Sequence, residues 1–195
     1  MSKTVILITG TPGVGKTTVS KQLAKELEAL YINLTELAQT NNLLSGEDKE
    51  RKTTIISEKK MRRKISEIVH VTNKSAIIVD GHYAAAVVPK RYVTRVFVLR
   101  RNPVELHTLM KKSGFSGAKL WENLASEILD SSLIEAVREQ GEHKVCELDI
   151  TSKTPTIVSS EIRTILSEHR ECPLGQVDWL GTLENKGILD KYLKF

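Results

Sequence analysis

An alternating α/β fold, a doubly wound parallel sheet with helices on both faces, is what this sequence predicts, and three observations carry the prediction. The run Thr4-Val5-Ile6-Leu7-Ile8-Thr9 is apolar and rich in β-branched residues and stops at Gly10, as a strand buried on both faces would. Runs of the same kind recur at Ser75–Asp80 and Thr94–Leu99, with stretches of helical period between them. Between the first run and the first helical stretch lies Gly10-Thr11-Pro12-Gly13-Val14-Gly15-Lys16-Thr17, a glycine-rich connection.

The elements follow in order. From Lys16 to Ala29 a helical stretch is read from Val19, Leu23, Leu27 and the following Leu30, which recur at helical spacing with Lys21, Lys25 and Glu26 between them. Tyr31-Ile32-Asn33-Leu34 reads as a second short strand, and Thr35 is placed to cap a brief helix through Asn41. Residues 45–54 lack an apolar period and are expected to form a mobile surface segment. Ser57 opens a helix with Met61, Ile65 and Ile68 inward and Lys59, Lys60, Arg62, Arg63 and Lys64 mostly outward. Val145–Ile150 is a weaker last strand. Helices are expected at about 103–112 and 117–140, and at Thr156–Glu168 with Ile157, Ile162, Ile165 and Leu166 inward. Residues 170–195 carry Trp179, Leu180, Leu183, Ile188, Leu189, Tyr192 and Leu193, too apolar for a solvated tail, and are expected to dock on the domain or on a partner.

With 195 residues, 40% of them apolar and 27% charged, the chain suits one globular domain. No apolar run approaches the ~20 residues of a membrane span, and no signal peptide precedes the first strand, so a cytoplasmic protein without membrane contact is expected. Cys146 and Cys172 have no metal-ligand spacing, and a reduced, buried thiol is the expectation for Cys146. The net charge of +5 favours contact with an anion.

The pattern G-x-x-x-x-G-K-[ST] is met by Gly10, Gly15, Lys16 and Thr17 in strand–loop–helix context. Glycines let successive N–H groups from Gly13 through Val14 and Gly15 to Thr18 point at phosphate oxygens, and the helix presents its positive end to the same anion. Lys16 is expected to bridge the β- and γ-phosphates of ATP, Thr17 to offer its hydroxyl to Mg²⁺, and Thr18 to reach the α-phosphate. Asp80 ends an apolar strand where a second acidic residue can hold the magnesium shell. His82, two residues on, points to the same side if the strand continues, and can touch the attacking group. Against this stands the commoner structural role of a lone histidine. The basic face from Lys59 to Lys64 reads as an ordinary solvated helix surface before it reads as an RNA contact, and Trp121 and Trp179 as packing anchors before base-stacking platforms.

With the loop, the Tyr31-Ile32-Asn33 segment and Val79-Asp80-Gly81-His82 in view, the chain resembles the adenylate kinase isoenzyme 6 family over about residues 3–168. Val98-Leu99-Arg100 agrees, and Gly114–Asn123 looks like that family's Gly-aromatic-x-x-x-Lys-x-x-Glu-Asn lid. The resemblance implies a P-loop NTPase of the nucleotide kinase type over residues 1–169, with an acceptor segment at about 33–56, a lid at about 109–119 and a C-terminal docking extension at 170–195. It implies that Thr151-Ser152-Lys153-Thr154-Pro155 lies beside the adenine. It also implies an ATPase that assists small ribosomal subunit maturation, with a ribosomal protein of the subunit platform as partner and rRNA nearby.

Where family members carry an arginine for the acceptor phosphate this chain has Gln39, and where the lid usually supplies two arginines it has Leu109 and Ser113. Lys111, Lys112 and Lys119 can replace part of that charge, without a guanidinium's bidentate geometry. An ATPase is therefore expected ahead of efficient transfer to AMP; a true adenylate kinase is the alternative. Kinases for shikimate, dephospho-coenzyme A and other nucleotides fit Asp80-x-His82 and the lid less well.

Overall fold

The computed structural model describes residues 3–48, 53–168 and 172–194. Five parallel strands form one sheet: β1 (Thr4–Thr9), β2 (Leu30–Asn33), β5 (Ala76–Asp80), β6 (Val93–Arg100) and β7 (Val145–Asp149), ordered β2-β5-β1-β6-β7. β3 (Leu44–Asp48) and β4 (Thr53–Ile56) make a separate antiparallel hairpin. Strand alternation divides the core. Val5, Leu7, Ile77 and Val79 face α2 (Leu34–Thr40), α3 (Glu58–Val71), α4 (Ala84–Val87) and α7 (Ser131–Gln140). Ile6, Ile8 and Ile78 face α1 (Lys16–Glu26), α5 (Pro103–Lys112), α6 (Gly117–Ile128) and α8 (Pro155–Ser167). This is the doubly wound sheet expected, and its switch point lies where β1 leaves for opposite neighbours, at the carboxyl end that carries the glycine loop.

Several expectations are corrected. The segment at 45–54 is not simply a surface loop: residues 44–48 and 53–56 pair as β3 and β4, while residues 49–52 lie outside the described ones. The cap of α2 is Asn33, not Thr35; its Oδ1 accepts from the N–H groups of Thr35 and Glu36, both at 3.0 Å. The helix expected over 117–140 is two, α6 and α7, divided at Leu129-Asp130. The cause is Arg100, whose Nη2 donates to the Glu127 carbonyl at 2.8 Å and to Asp130 Oδ1 at 2.5 Å, drawing both away from a continuous helix. In α3, Arg62 turns inward to the Ala86 carbonyl, and in α8 Ile157 is exposed while Val158 takes the inward place.

Cys146 is not a free thiol: it is buried and disulfide-bonded to Cys172. Beyond that bond the chain forms α9 (Trp179–Asn185) and α10 (Leu189–Tyr192) and packs back on α5 and α6. His107 stacks on Trp121 at 5.5 Å and meets Tyr192 edge-on at 5.6 Å, while Lys194 lies 4.2 Å over the Trp121 ring. Among the described residues no helix is long and apolar enough to cross a membrane.

Candidate active site

At the end of β1 the backbone passes so close to β6 that a Cβ on Gly10 would lie 2.4 Å from the Leu99 carbonyl oxygen, which excludes any larger residue. Gly15 follows at φ +114°, a left-handed N-cap with no side chain to close α1. The first N–H groups of α1 are left for an anion. Lys16 is 9% exposed, and its Nζ donates to the carbonyl oxygens of Gly10 at 2.8 Å and Thr11 at 2.9 Å. Burial lowers its pKa to about 8, against the opposing attraction of Asp80 and Glu127. An ammonium so placed gains from an arriving phosphate.

Thr17 Oγ1 donates to Asp80 Oδ2 at 2.7 Å, and the same oxygen accepts from Tyr31 Oη at 2.9 Å and Asn33 Nδ2 at 3.1 Å. Sheet register produces this meeting, since Asp80 lies opposite Asn33 on β2 and Ile8 on β1. Burial, with the Asp80 carboxylate beside it, pushes the Tyr31 phenol up to about 12, so it stays a donor. A hydroxyl and a carboxylate in contact are hard-oxygen donors that suit Mg²⁺, which takes few protein ligands and shares its remaining positions with water and phosphates. Among the described residues no group of three or more His, Cys, Asp or Glu gathers to hold an ion by itself.

His82 lies just past Asp80, its carbonyl accepting from Thr9 Oγ1 at 3.1 Å and its ring edge-on to Tyr83 at 4.8 Å. The side chain is exposed within the cleft, yet the cleft walls desolvate it. That lowers its pKa to about 4, with Lys16 and Lys119 adding to the shift. Two cavities meet at His82, Lys119 and Glu135. One, of about 480 Å³, is bounded by Thr35, Gln39, Glu58 and Tyr83. The other, of about 1250 Å³, runs from Pro12 past Phe115, Glu122 and Asn123 to Arg138. Burial raises the Glu135 pKa, Arg138 opposing.

The structure thus gathers Lys16, Thr17, Asp80, His82 and Lys119. Gly13, Val14 and Thr18 complete the loop, Val14 fully buried and Thr18 exposed. Lys112 is exposed at the end of α5 and borders neither cavity. Ser152 and Lys153 follow β7 and are engaged by neighbours: the Ser152 N–H donates to Glu105 Oε2 at 3.0 Å, and Lys153 Nζ pairs with Glu161 at 2.9 Å.

Sequence reasoning missed Tyr31 and Asn33 as Asp80 partners, because strand pairing, not motif spacing, brings them there. It also missed Arg101, whose Nε donates to the Val14 carbonyl at 2.9 Å while Nη1 pairs with Glu105. Glu127, which reaches Thr11 of the loop at 2.5 Å, was missed as well. A charged pair, Arg100-Arg101, closing an apolar strand was the one visible signal.

The comparisons agree with this geometry. The family described as AAA domain matches residues 6–130. A protein of Pyrococcus furiosus named "Putative adenylate kinase" is 34% identical over 184 residues, covering 92% of this chain and 93% of that one. Its counterpart of the same name in Thermococcus kodakarensis is 35% identical, covering 90% and 92%. Among solved structures, a gluconokinase from Sinorhizobium meliloti 1021 superposes with a TM-score of 0.55 at 14% identity, covering 86% of this chain and 94% of that one. A shikimate kinase from Bacteroides thetaiotaomicron does so with a TM-score of 0.50 at 15% identity, covering 84% and 98%. These two share the fold alone. The sequence relatives span nearly the whole chain, and with the glycine loop and the Thr17–Asp80 contact assembled as described, the chain belongs to the adenylate-kinase-like family of P-loop proteins.

Proposed function

We infer that this protein binds ATP·Mg²⁺ at residues 10–18 and transfers the γ-phosphoryl group chiefly to water, as an ATPase, with AMP a weak acceptor. The observation that carries the reading is the Thr17–Asp80 contact beside the buried Lys16. Thr17 and Asp80 would hold the ion, which when bound neutralises charge on the β- and γ-phosphate oxygens. Lys16 exchanges its two carbonyl partners for phosphate oxygens, and the α1 N–H groups fix the phosphates in place. His82 stands on the wall shared by the two cavities, where an acceptor enters, and orients it.

Water is favoured over AMP by the smaller cavity. Its described walls carry Gln39, Glu58 and Glu135, with Lys119 as the one cation among them, a poor setting for a dianionic phosphate. A role in small-subunit maturation in the cytoplasm, with a platform ribosomal protein as partner and rRNA nearby, rests on the family resemblance and on the net charge of +5. Adenylate kinase activity in nucleotide metabolism is the second reading, favoured by the relatives' names.

The test is a product analysis of purified protein with ATP·Mg²⁺, with and without AMP. Phosphate release that far outpaces any consumption of AMP is expected. Consumption of AMP with two ADP formed per ATP would establish the second reading instead.

A further inference from the structure

A buried ion network lies beside the loop, and nothing in the chemistry above uses it. Glu127 of α6 is 1% exposed, and both its oxygens are occupied. Oε2 accepts from Thr11 Oγ1 at 2.5 Å, and Oε1 from Arg100 Nε at 3.0 Å, the Arg101 N–H at 3.0 Å and Trp179 Nε1 at 3.1 Å. Thr11 is itself fully buried, and its carbonyl is one of the two that hold the Lys16 ammonium. One carboxylate thus joins the residue that places Lys16 to an indole from the C-terminal segment. A second tie runs the same way: Arg100 Nη1 donates to Glu147 Oε1 at 2.6 Å, and the Gln176 N–H donates to Glu147 Oε2 at 3.0 Å.

We propose that Glu127 is a positioning residue for the phosphate-binding loop, and that Trp179 makes the docked C-terminal segment part of the ATP site by holding that carboxylate in place. The proposal rests on reading the loop as the ATP site. A buried carboxylate with four donors has one orientation, and in that orientation it fixes the Thr11 hydroxyl and, through the peptide, the carbonyl that faces Lys16. Removing the indole frees a lone pair on Oε1 and lets the carboxylate turn toward Arg100, away from the geometry Thr11 needs. Were the network only the counter-charge of Arg100, losing Thr11 Oγ1 or the Trp179 indole would lower stability and leave nucleotide affinity alone.

That difference is measurable in the full chain by titration calorimetry with ATP·Mg²⁺ and by melting temperature. Glu127 stays in place throughout, because its removal strands the Arg100 guanidinium in the interior. Thr11→Val should weaken ATP binding roughly tenfold, and Trp179→Phe by about three- to fivefold, from the loss of one hydrogen bond to a charged group and its relayed effect. Thr11→Ser, which keeps the hydroxyl, should restore most of the affinity. The double variant Thr11→Val with Trp179→Phe should lose less than the product of the single losses, since both act through one carboxylate. Unchanged ATP affinity in both single variants, whatever their melting temperatures, overturns the proposal, and so does a double variant equal to the product. Lys16→Ala separates the levels: if it binds ATP as tightly as the natural protein, the ATP-site reading itself fails.

Discussion

Asp80 Oδ2 accepts three hydrogen bonds, from Thr17, Tyr31 and Asn33, so Asp80→Asn keeps the size of the side chain while removing the charge a magnesium ion needs. The variant should fold, and the Mg²⁺ concentration for half-maximal ATP turnover should rise roughly tenfold. A magnesium titration of turnover checks it, and an unchanged requirement removes Asp80 from the metal site. Lys16 carries a pH prediction. Burial holds its pKa near 8 in the nucleotide-free protein, whereas bound phosphates favour the charged form. Below pH 8 the lysine is already protonated and binding needs no proton. Above it, binding must take one up, so ATP affinity should fall about tenfold by pH 9. Calorimetry in two buffers of different ionisation enthalpy reads that proton directly. His82→Ala should slow hydrolysis while ATP binding stays, and loss of binding as well would mark the histidine as structural. Lys16 was legible because loop chemistry needs it at a fixed spacing from Gly10 and Gly15, and Asp80 because it ends a buried apolar run. Tyr31 and Asn33 were not, because only the parallel register of β2 on β5 brings them to Asp80.

At the scale of elements, the strands were legible wherever a parallel sheet demands continuous apolar runs, as in β1, β5 and β6. The break between α6 and α7 was not, because nothing local ends the helix: the apolar period continues through Leu129, and Asp130 is turned left-handed at φ 56° by a partner on β6. That partner, Arg100, is 1% exposed and meets Glu127, Glu147 and Asp130. Burial alone would lower its pKa, but the charges of Glu127 and Asp130 outweigh burial and raise it. Arg100→Met leaves the buried carboxylates of Glu127 and Glu147 without their counter-charge and should destabilise the fold by about 4 kcal/mol. Urea unfolding measures this, and a loss below about 1 kcal/mol would show that the carboxylates protonate or rearrange at little cost. The β3–β4 hairpin escaped the sequence reading for a different reason: Ser45 to Asp48 carry no apolar alternation, and the contact that anchors the hairpin, Leu44 opposite Ile56 against the core, joins residues far apart in the chain.

Across the whole molecule, the C-terminal residues are held to the domain by bonds of different kinds. These are the Cys146–Cys172 disulfide, the Trp179 and Gln176 hydrogen bonds into the ion network, and the ring cluster of His107, Trp121 and Tyr192. The apolar content of residues 170–195 predicted docking; the identity of the surface it docks on required the fold, since α5, α6 and β7 are far away in sequence. The disulfide was hidden because two cysteines alone carry no pairing signal, and the same two residues in a reducing compartment read as thiols. The bond closes a loop across a sequence separation of 26, which in the unfolded chain restricts conformational freedom by about 3.5 kcal/mol. Its location makes that restriction specific: with the bond open, the unfolded chain gains entropy while the hydrogen bonds of Trp179 and Gln176 still hold the segment in the folded state. Reduction should therefore lower global stability by about that amount without releasing the segment, and Cys172→Ser should match the reduced natural protein. Denaturant unfolding with and without reductant, paired with limited proteolysis of the reduced protein, tests both halves. Cleavage after residue 170 at low denaturant would mean that the bond, and not the ion network, keeps the C-terminal segment in place.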